Sequence, residues 1–408
     1  MSGPQLSPQS SVLSPTLLVG QSGGATAVIN ASLVGVVDAA REASAFTRVL
    51  GMRHGIEGLL TERFIDLGNQ EQATLDRVRH TPSAALGTGR YKLQDDELDR
   101  ALDLLAAHGV TVFVYIGGND SADTAHRLAV RARTRGQQLA VIAVPKTIDN
   151  DLPEIDHCPG YGSIARFLAN AVRDATYDSL ASPQLYPVKI VEVMGRDAGW
   201  VPASSVLGFG SDEADLLPLV FLPERPPASA DDVLDAISVQ VKERGFAVAV
   251  VPETLRAADG KHLGGETPDY VDQFGHPYYP SPGLALTRLA TERLGLRARC
   301  DRPGTIARMS ISLASPVDLA EAYALGHAAV DRALAGESEV MTALHRVSDH
   351  PYACEVTTVP LTSVANKVRP VPDEFIGDDD TSLTDAFRAY ALPLLGPEPV
   401  PPYARLQG

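Results

Sequence analysis

Short apolar runs recur along this chain with room for a helix between them: "TLLVG" from residue 16, "RVLGM" from 48, "VTVFVYIGG" from 110, "LAVIAV" from 139, "VKIVEV" from 188 and "FAVAVV" from 246. Hydrophobicity within each run is continuous rather than alternating, which is the pattern of a strand covered on both faces. A mainly parallel sheet flanked by helices is therefore predicted. Several runs end in loops rich in Gly, Asp or Arg: "GQSGGATAVIN", "GTGRYKL", "GGNDSAD", "PKTIDND" and "MGRDAGW". In open α/β sheets ligands collect at the carboxyl ends of strands, so these loops are the candidate site. The stretch "LPERPPASADDVLDA" at 222–236 reads as a Pro-rich connection into a helix capped by Ser or Asp. The proline-rich tail from Pro393 to Pro402 is expected to be extended on the surface, and no repeat of fixed period is visible.

Length and charge narrow this picture. A chain of 408 residues is long enough for two lobes with a cleft between them. Its formal charge of −16 opposes general attraction to nucleic acid or to an anionic membrane. An anionic ligand must then be met by locally placed Arg, Lys, helix N-termini or a metal ion. The cysteines, Cys158, Cys300 and Cys354, are widely spaced and outside any C-x-x-C pattern, so no disulfide framework or zinc site is suggested and a cytoplasmic location fits. Residues 1–15, "MSGPQLSPQSSVLSP", read as a disordered leader, and no apolar run approaches bilayer length.

Two loops carry the strongest chemistry. Ser22, Gly23 and Gly24 allow backbone N–H groups to approach an anion ahead of a helix N-terminus, although a tight turn without ligand has the same composition. In "VPKTIDNDLP", Asp149, Asn150 and Asp151 follow Lys146 and Thr147 directly after a buried strand. Carboxylates there can act as a general base or hold a divalent ion, and the lysine offsets phosphate charge. An Asx-rich turn ahead of Pro153 is the plainer alternative.

"SGG", "GTGR", "GGND", "PKTIDND", "MGRDAGW" and "VPE" stand in the order and context found in phosphofructokinases, and the chain resembles that family from about Thr16 to its C-terminus. The resemblance implies an α/β protein of two Rossmann-like, mainly parallel-sheet lobes with the active site in the cleft between them. Residues 16–165 would form the first lobe, with the phosphoryl-donor site, and 166–408 the second, with the sugar-phosphate site, part of the chain after about 320 returning to the first. It also implies phosphoryl transfer to the 1-hydroxyl of a sugar phosphate, fructose 6-phosphate in the family, with Mg2+ as cofactor. Asp149 would be the proton acceptor, aided by Thr147, Lys146 and Arg196; Gly24 and Arg90 would meet the transferring phosphates. Met194, Gly195, Arg196 and Glu253 would line the sugar site. Arg308 would hold the distal phosphate, although Ala307 stands where relatives usually have Gln. A homodimer or homotetramer is implied, with Lys189 as a cation lent by a neighbouring subunit.

The donor is read from two positions. ATP-using relatives have "GGDG" and "PGTIDND", where this chain places Asp120 and Lys146 instead of glycine. A carboxylate at Asp120 would repel the α-phosphate of ATP, whereas Lys146 can neutralise a shorter donor, so the resemblance is to the pyrophosphate-dependent branch. Metal ligands would come from Asn119, Asp120 and Asp151, with Asn119 replacing the usual aspartate. That replacement also keeps open a non-catalytic sugar-phosphate-binding protein. The unusual "FGHPYYPSPGLALTR" at 274–288 keeps open another acceptor, such as sedoheptulose 7-phosphate.

Overall fold

The six apolar runs all form strands in the computed structural model of the protein, which describes residues 15–89, 91–271 and 277–406. The sequence-based reading of a disordered leader concerns residues that, apart from Pro15, lie outside those described. In the first sheet, β1 (Thr16–Gln21), β2 (Arg48–Met52), β4 (Val110–Gly117) and β5 (Ala140–Pro145) run parallel, and the short β3 (Phe64–Asp66) pairs antiparallel with β2. The second sheet is parallel, in the order β11 (Ala298–Asp301), β6 (Val188–Val193), β8 (Ala247–Pro252) and β7 (Leu219–Val220). A short ribbon of β9 (Tyr270–Val271) and β10 (Pro277–Tyr278) stands apart from both. Every residue of β1, β6 and β8 is buried, as continuous hydrophobicity requires of strands covered on both faces.

The chain after the second sheet returns to the first. β12 (Val340–Asp349) pairs parallel with β5, and β13 (Tyr352–Pro360) adds antiparallel at the edge, giving the order β13-β12-β5-β4-β1-β2-β3. Residues beyond that cross back, and Phe375, Phe387 and Leu394 join Trp200 in the core of the second lobe. The helices that position the site are α1 (Ile29–Ala43), α2 (Asn119–Thr134), α3 (Tyr161–Ala181), α4 (Ala230–Arg244), α5 (Pro282–Leu294) and α6 (Pro316–Leu334). As the composition predicts, α4 follows the Pro-rich connection and is capped by Ser229, whose hydroxyl accepts from Asp231 N at 3.2 Å.

The tail departs in part from the expected surface strand. Leu394 and Leu395 are buried, because two adjacent leucines recover more by packing than by solvation. Only the following residues run over the surface. They are held there by Arg166 Nη1 donating to the carbonyl of Pro397 at 3.2 Å and Arg173 Nη1 to that of Pro401 at 2.7 Å. Among the described residues no helix is long and apolar enough to cross a membrane.

The return segment is fixed by a close helix crossing. A Cβ on Gly35 of α1 would run into the carbonyl oxygen of Tyr323 on α6, and a Cβ on Gly326 of α6 into that of Ser32 on α1. Both helices are largely buried along this contact. Gly326→Ala is expected to lower stability by about 1–3 kcal/mol through overpacking. Denaturant unfolding checks this, and an unchanged midpoint would mean that the two helices separate without cost.

Candidate active site

Parallel pairing sets the site. β5, β4 and β1 are neighbours, so the loops after them, at Lys146–Asp149, Gly118–Asp120 and Ser22–Gly24, emerge along one sheet edge. On the second sheet β11, β6 and β8 are neighbours, and their ends deliver Arg302, Met194–Arg196 and Glu253–Thr254. Residues from both edges line a single cavity of about 400 Å³: Gly23, Gly24, Asp120, Lys146, Thr147 and Asp149 on one side, and Met194, Gly195, Arg196, Glu253 and Arg308 on the other. A smaller adjoining cavity of about 250 Å³ is lined by Asn119, Asp120, Asp149 and Asp151. Arg90 lies outside the described residues.

The glycine loop is held by the two cations assigned to different ends of the site. Lys146, nearly fully buried, donates from Nζ to the carbonyl of Gly24 at 2.9 Å. The guanidinium of Arg308 lies so close to Gly24 that a Cβ there would collide with Nη1. Gly23 adopts a φ of 75°, a left-handed conformation that a side chain would strain. Asp120 lies in the first turn of α2, where a carboxylate is favoured by the helix dipole. Asn119 Oδ1 accepts from the N–H of Asp120 at 2.9 Å.

The Asp149–Asp151 turn is built by residues far away in sequence. Thr147 Oγ1 accepts from Asp149 N at 3.0 Å and donates to Asp151 Oδ1 at 3.3 Å. Asn150, at φ 51°, points its side chain away, accepting from Cys158 N and donating to Tyr390 Oη at 2.9 Å each. Arg369 donates from Nη2 to the carbonyl of Asn150 at 2.9 Å and from Nη1 to those of Ile155 and Asp156 at 2.7 Å each. Its guanidinium sits 4.6 Å from the ring of Trp200, whose Nε1 donates to the carbonyl of Arg369 at 3.0 Å. Trp200 closes the "MGRDAGW" loop, so one arginine joins the two loops. On that loop Gly195 adopts φ 129°, and Thr254 Oγ1 donates to the carbonyl of Arg196 at 2.5 Å.

Electrostatics follow from burial. The Asp149 carboxyl is pushed upward by desolvation and by the neighbouring Asp151 charge, against the pull of Arg196 and Lys146. Asp151 is raised too, mainly by burial, with Thr147, Arg196 and Arg369 opposing. Glu253 is pushed up to about 7 by burial and by Glu192, with Arg196, Arg302 and Arg308 pulling it back.

A family profile described as phosphofructokinase matches residues 16–333. The chain belongs to the phosphofructokinase family. Over 392 residues the chain is 40% identical to the pyrophosphate–fructose 6-phosphate 1-phosphotransferase of Methylococcus capsulatus, covering 94% of this chain and 92% of the relative. It is 32% identical over 359 residues to a sulfofructose kinase of Alkalicoccus urumqiensis, covering 88% and 91% of the two chains. The crystal structure of a pyrophosphate-dependent phosphofructokinase from Nitrosospira multiformis superposes with a TM-score of 0.86 at 35% identity, covering 95% of this chain and 94% of that one.

Other parts of the cavity escaped the sequence reading. Lys189 is not available as a visiting cation: its side chain is only 5% exposed, and Nζ bonds Asp178 Oδ2 at 2.5 Å. Glu192, Arg302, Tyr278, Tyr279 and Thr305 line the cavity, and Arg369 and Tyr390 support it. Tyr278 and Tyr279 belong to the unusual stretch at 274–288, which was the one available signal. Its residues 274–276 lie outside those described.

Because the fold raises the Asp149 carboxyl, the acid form favours the native state. That contribution is fully present below about 4, the ordinary aspartate value, and is lost as pH rises through about 7. Asp149→Asn removes the penalty. Without substrate or metal, it is expected to raise Tm above about pH 7, with the gain disappearing towards pH 4. Thermal unfolding across that range checks the sign, and a loss of stability at about pH 8 would contradict it.

Proposed function

We propose that the protein transfers a phosphoryl group from inorganic pyrophosphate to the 1-hydroxyl of fructose 6-phosphate, giving fructose 1,6-bisphosphate and phosphate. The observation that carries this reading is Lys146 bonded to the Gly24 carbonyl in the same cavity as Asp120 and Asp149. The lysine and the Asp120 carboxylate take up space at the glycine loop that a nucleotide's α-phosphate and ribose would need, and they leave a donor site for a short phosphate chain. The 40% identity to the Methylococcus capsulatus phosphotransferase supports the same donor and acceptor.

In this reading the 1-hydroxyl oxygen of the sugar forms a bond to the terminal phosphorus while the bond from that phosphorus to the leaving phosphate breaks. Asp149 accepts the hydroxyl proton. Arg196 and Lys146 stabilise charge on the phosphoryl oxygens, and Arg90 belongs to this set by its motif. Met194, Gly195 and Glu253 contact the sugar, and Arg308 binds its distal phosphate. Asn119, Asp120 and Asp151 offer the oxygen set that Mg2+ prefers, and the raised Asp149 and Asp151 carboxyls mark a place where a divalent cation would relieve repulsion. When bound, Mg2+ would offset the charge of the donor phosphates. A cytoplasmic homodimer or homotetramer, as implied by the family resemblance, completes the reading.

The direct test is turnover with pyrophosphate and Mg2+ against turnover with ATP, on fructose 6-phosphate. Activity with pyrophosphate, lost on chelation, and near-zero activity with ATP are expected; equal rates would refute the donor assignment. The sulfofructose kinase relative makes sulfofructose one acceptor to run beside it, and the unusual 274–288 stretch makes sedoheptulose 7-phosphate another. Asp149→Asn is expected to lower kcat by about 10²–10⁴ with little change in sugar-phosphate affinity, as for a group that acts chiefly in the transition state. An Asp149→Asn enzyme that keeps kcat and loses affinity would remove Asp149 from the base role.

A further inference from the structure

The second sheet presents one more cation to the cavity than the sequence reading assigned. Arg302 follows β11 directly, lines the cavity, and is 49% exposed along its side chain. Its Nε donates to Glu192 Oε1 at 2.8 Å. Glu192 is itself only 3% exposed, so a carboxylate has been buried at the end of β6 beside this guanidinium. Such burial is costly unless every lone pair is used. Here the other oxygen, Oε2, accepts from the N–H of Gly283 at 2.9 Å and from the Ser281 hydroxyl. Ser281 caps α5, its Oγ accepting from Leu284 N at 3.0 Å. A Cβ on Gly283 would come within 2.9 Å of the Glu192 carboxylate, so glycine there lets the helix end approach it.

The arrangement has a chemical consequence. Much of the Glu192 charge is satisfied by the N-terminus of α5, while its Oε1 fixes the plane of Arg302 through Nε alone. Among the described residues nothing hydrogen-bonds the two Nη atoms of Arg302, and a guanidinium held at Nε keeps them as a fork suited to two oxygens of a phosphate or sulfonate. Arg308 and Thr305 line the same cavity, and Arg196, Arg302 and Arg308 all act on the Glu253 carboxyl, which places three guanidiniums around the second-lobe part of the site. Lys189 is engaged with Asp178, and its Nζ lies 3.8 Å from Asp301 Oδ2.

We propose that Arg302 is a further substrate-binding residue, a second guanidinium in the same chain that grips the distal anion of the sugar together with Arg308, and that Glu192 is its positioning residue. This rests on the reading of the acceptor as a sugar carrying a distal anion. Arg302→Gln is expected to raise KM and the equilibrium Kd for fructose 6-phosphate about 10- to 100-fold, the loss of one or two charged hydrogen bonds, with kcat and the KM for pyrophosphate nearly unchanged. Arg302→Lys, which keeps the charge and loses the fork, should fall between. Glu192→Gln should weaken sugar-phosphate binding in the same direction without altering the KM for pyrophosphate. Arg302 is half exposed, so its variants report even if Glu192→Gln does not fold.

Calorimetric titration with fructose 6-phosphate alone, run beside turnover, separates this inference from the reading beneath it. A wild type that binds the sugar phosphate but does not use pyrophosphate would refute the reading of the donor, while weaker binding by Arg302→Gln would still uphold Arg302. An active wild type with unchanged KM and Kd in Arg302→Gln would overturn the inference alone. A wild type that neither binds nor turns over the sugar phosphate would overturn both.

Discussion

Two carboxylates two residues apart, Asp149 and Asp151, are crowded together in a partly buried cleft at the meeting of two lobes, and much of the surrounding structure makes that tolerable. An unpaired buried charge costs several kcal/mol, so the turn survives only with fixed dipoles and cations around it. Thr147 supplies a hydroxyl to both residues, and Lys146 and Arg196 supply charge. Arg369 supplies both charge and shape, since its guanidinium organises the carbonyls of Asn150, Ile155 and Asp156 while its field opposes protonation of Asp151. The remaining penalty is the upward shift of the carboxyls, which is consistent with the proton-accepting role proposed for Asp149.

The same constraint explains why the chain crosses between lobes more than once. Arg369 comes after the strands that complete the first sheet and before the segment that packs into the second lobe. At that crossing it stacks on Trp200, and Glu224 Oε1 accepts from both Gly199 N and Val371 N at 2.8 Å each. The Asp149–Asp151 turn and the Met194–Trp200 loop are therefore braced against the same strip of chain. A change in the separation of the lobes must disturb both loops together, which ties the geometry of one to that of the other.

A strongly acidic protein needs its cations concentrated if it is to bind the phosphorylated substrates proposed above. Lys146, Arg196, Arg302 and Arg308 line one cavity, with Glu192 and Glu253 among them. The carboxylates limit the positive field when the cavity is empty and offer acceptors for hydroxyls, and the buried Glu192 fixes one arginine in place. Orientation, more than net charge, is what such an arrangement adds, because a guanidinium held by one edge loses less entropy when it binds through the other.

Local sequence determined the strands, the loops at their carboxyl ends and the residue types in those loops. Continuous hydrophobicity in "TLLVG" or "VKIVEV" has few other solutions, and parallel pairing then brings "SGG", "GGND" and "PKTIDND" to one edge. For the same reason Lys146 and Asp149 could be singled out without coordinates, as polar residues placed directly after a buried strand, whereas Arg196 and Glu253 were legible only through the family resemblance of their motifs. Arg369, Tyr390 and Glu192 could not. Arg369 and Tyr390 act on a turn more than 200 residues away, and Glu192 sits inside a strand whose pattern reads as core. Lys189 shows the opposite case, a cation that looked available until packing buried it against Asp178. Short-range pattern fixes where the backbone must go, because each strand and turn satisfies its own hydrogen bonds and apolar faces locally. Which charges remain open to a ligand depends on pairings between distant segments, and only the tertiary structure decides those.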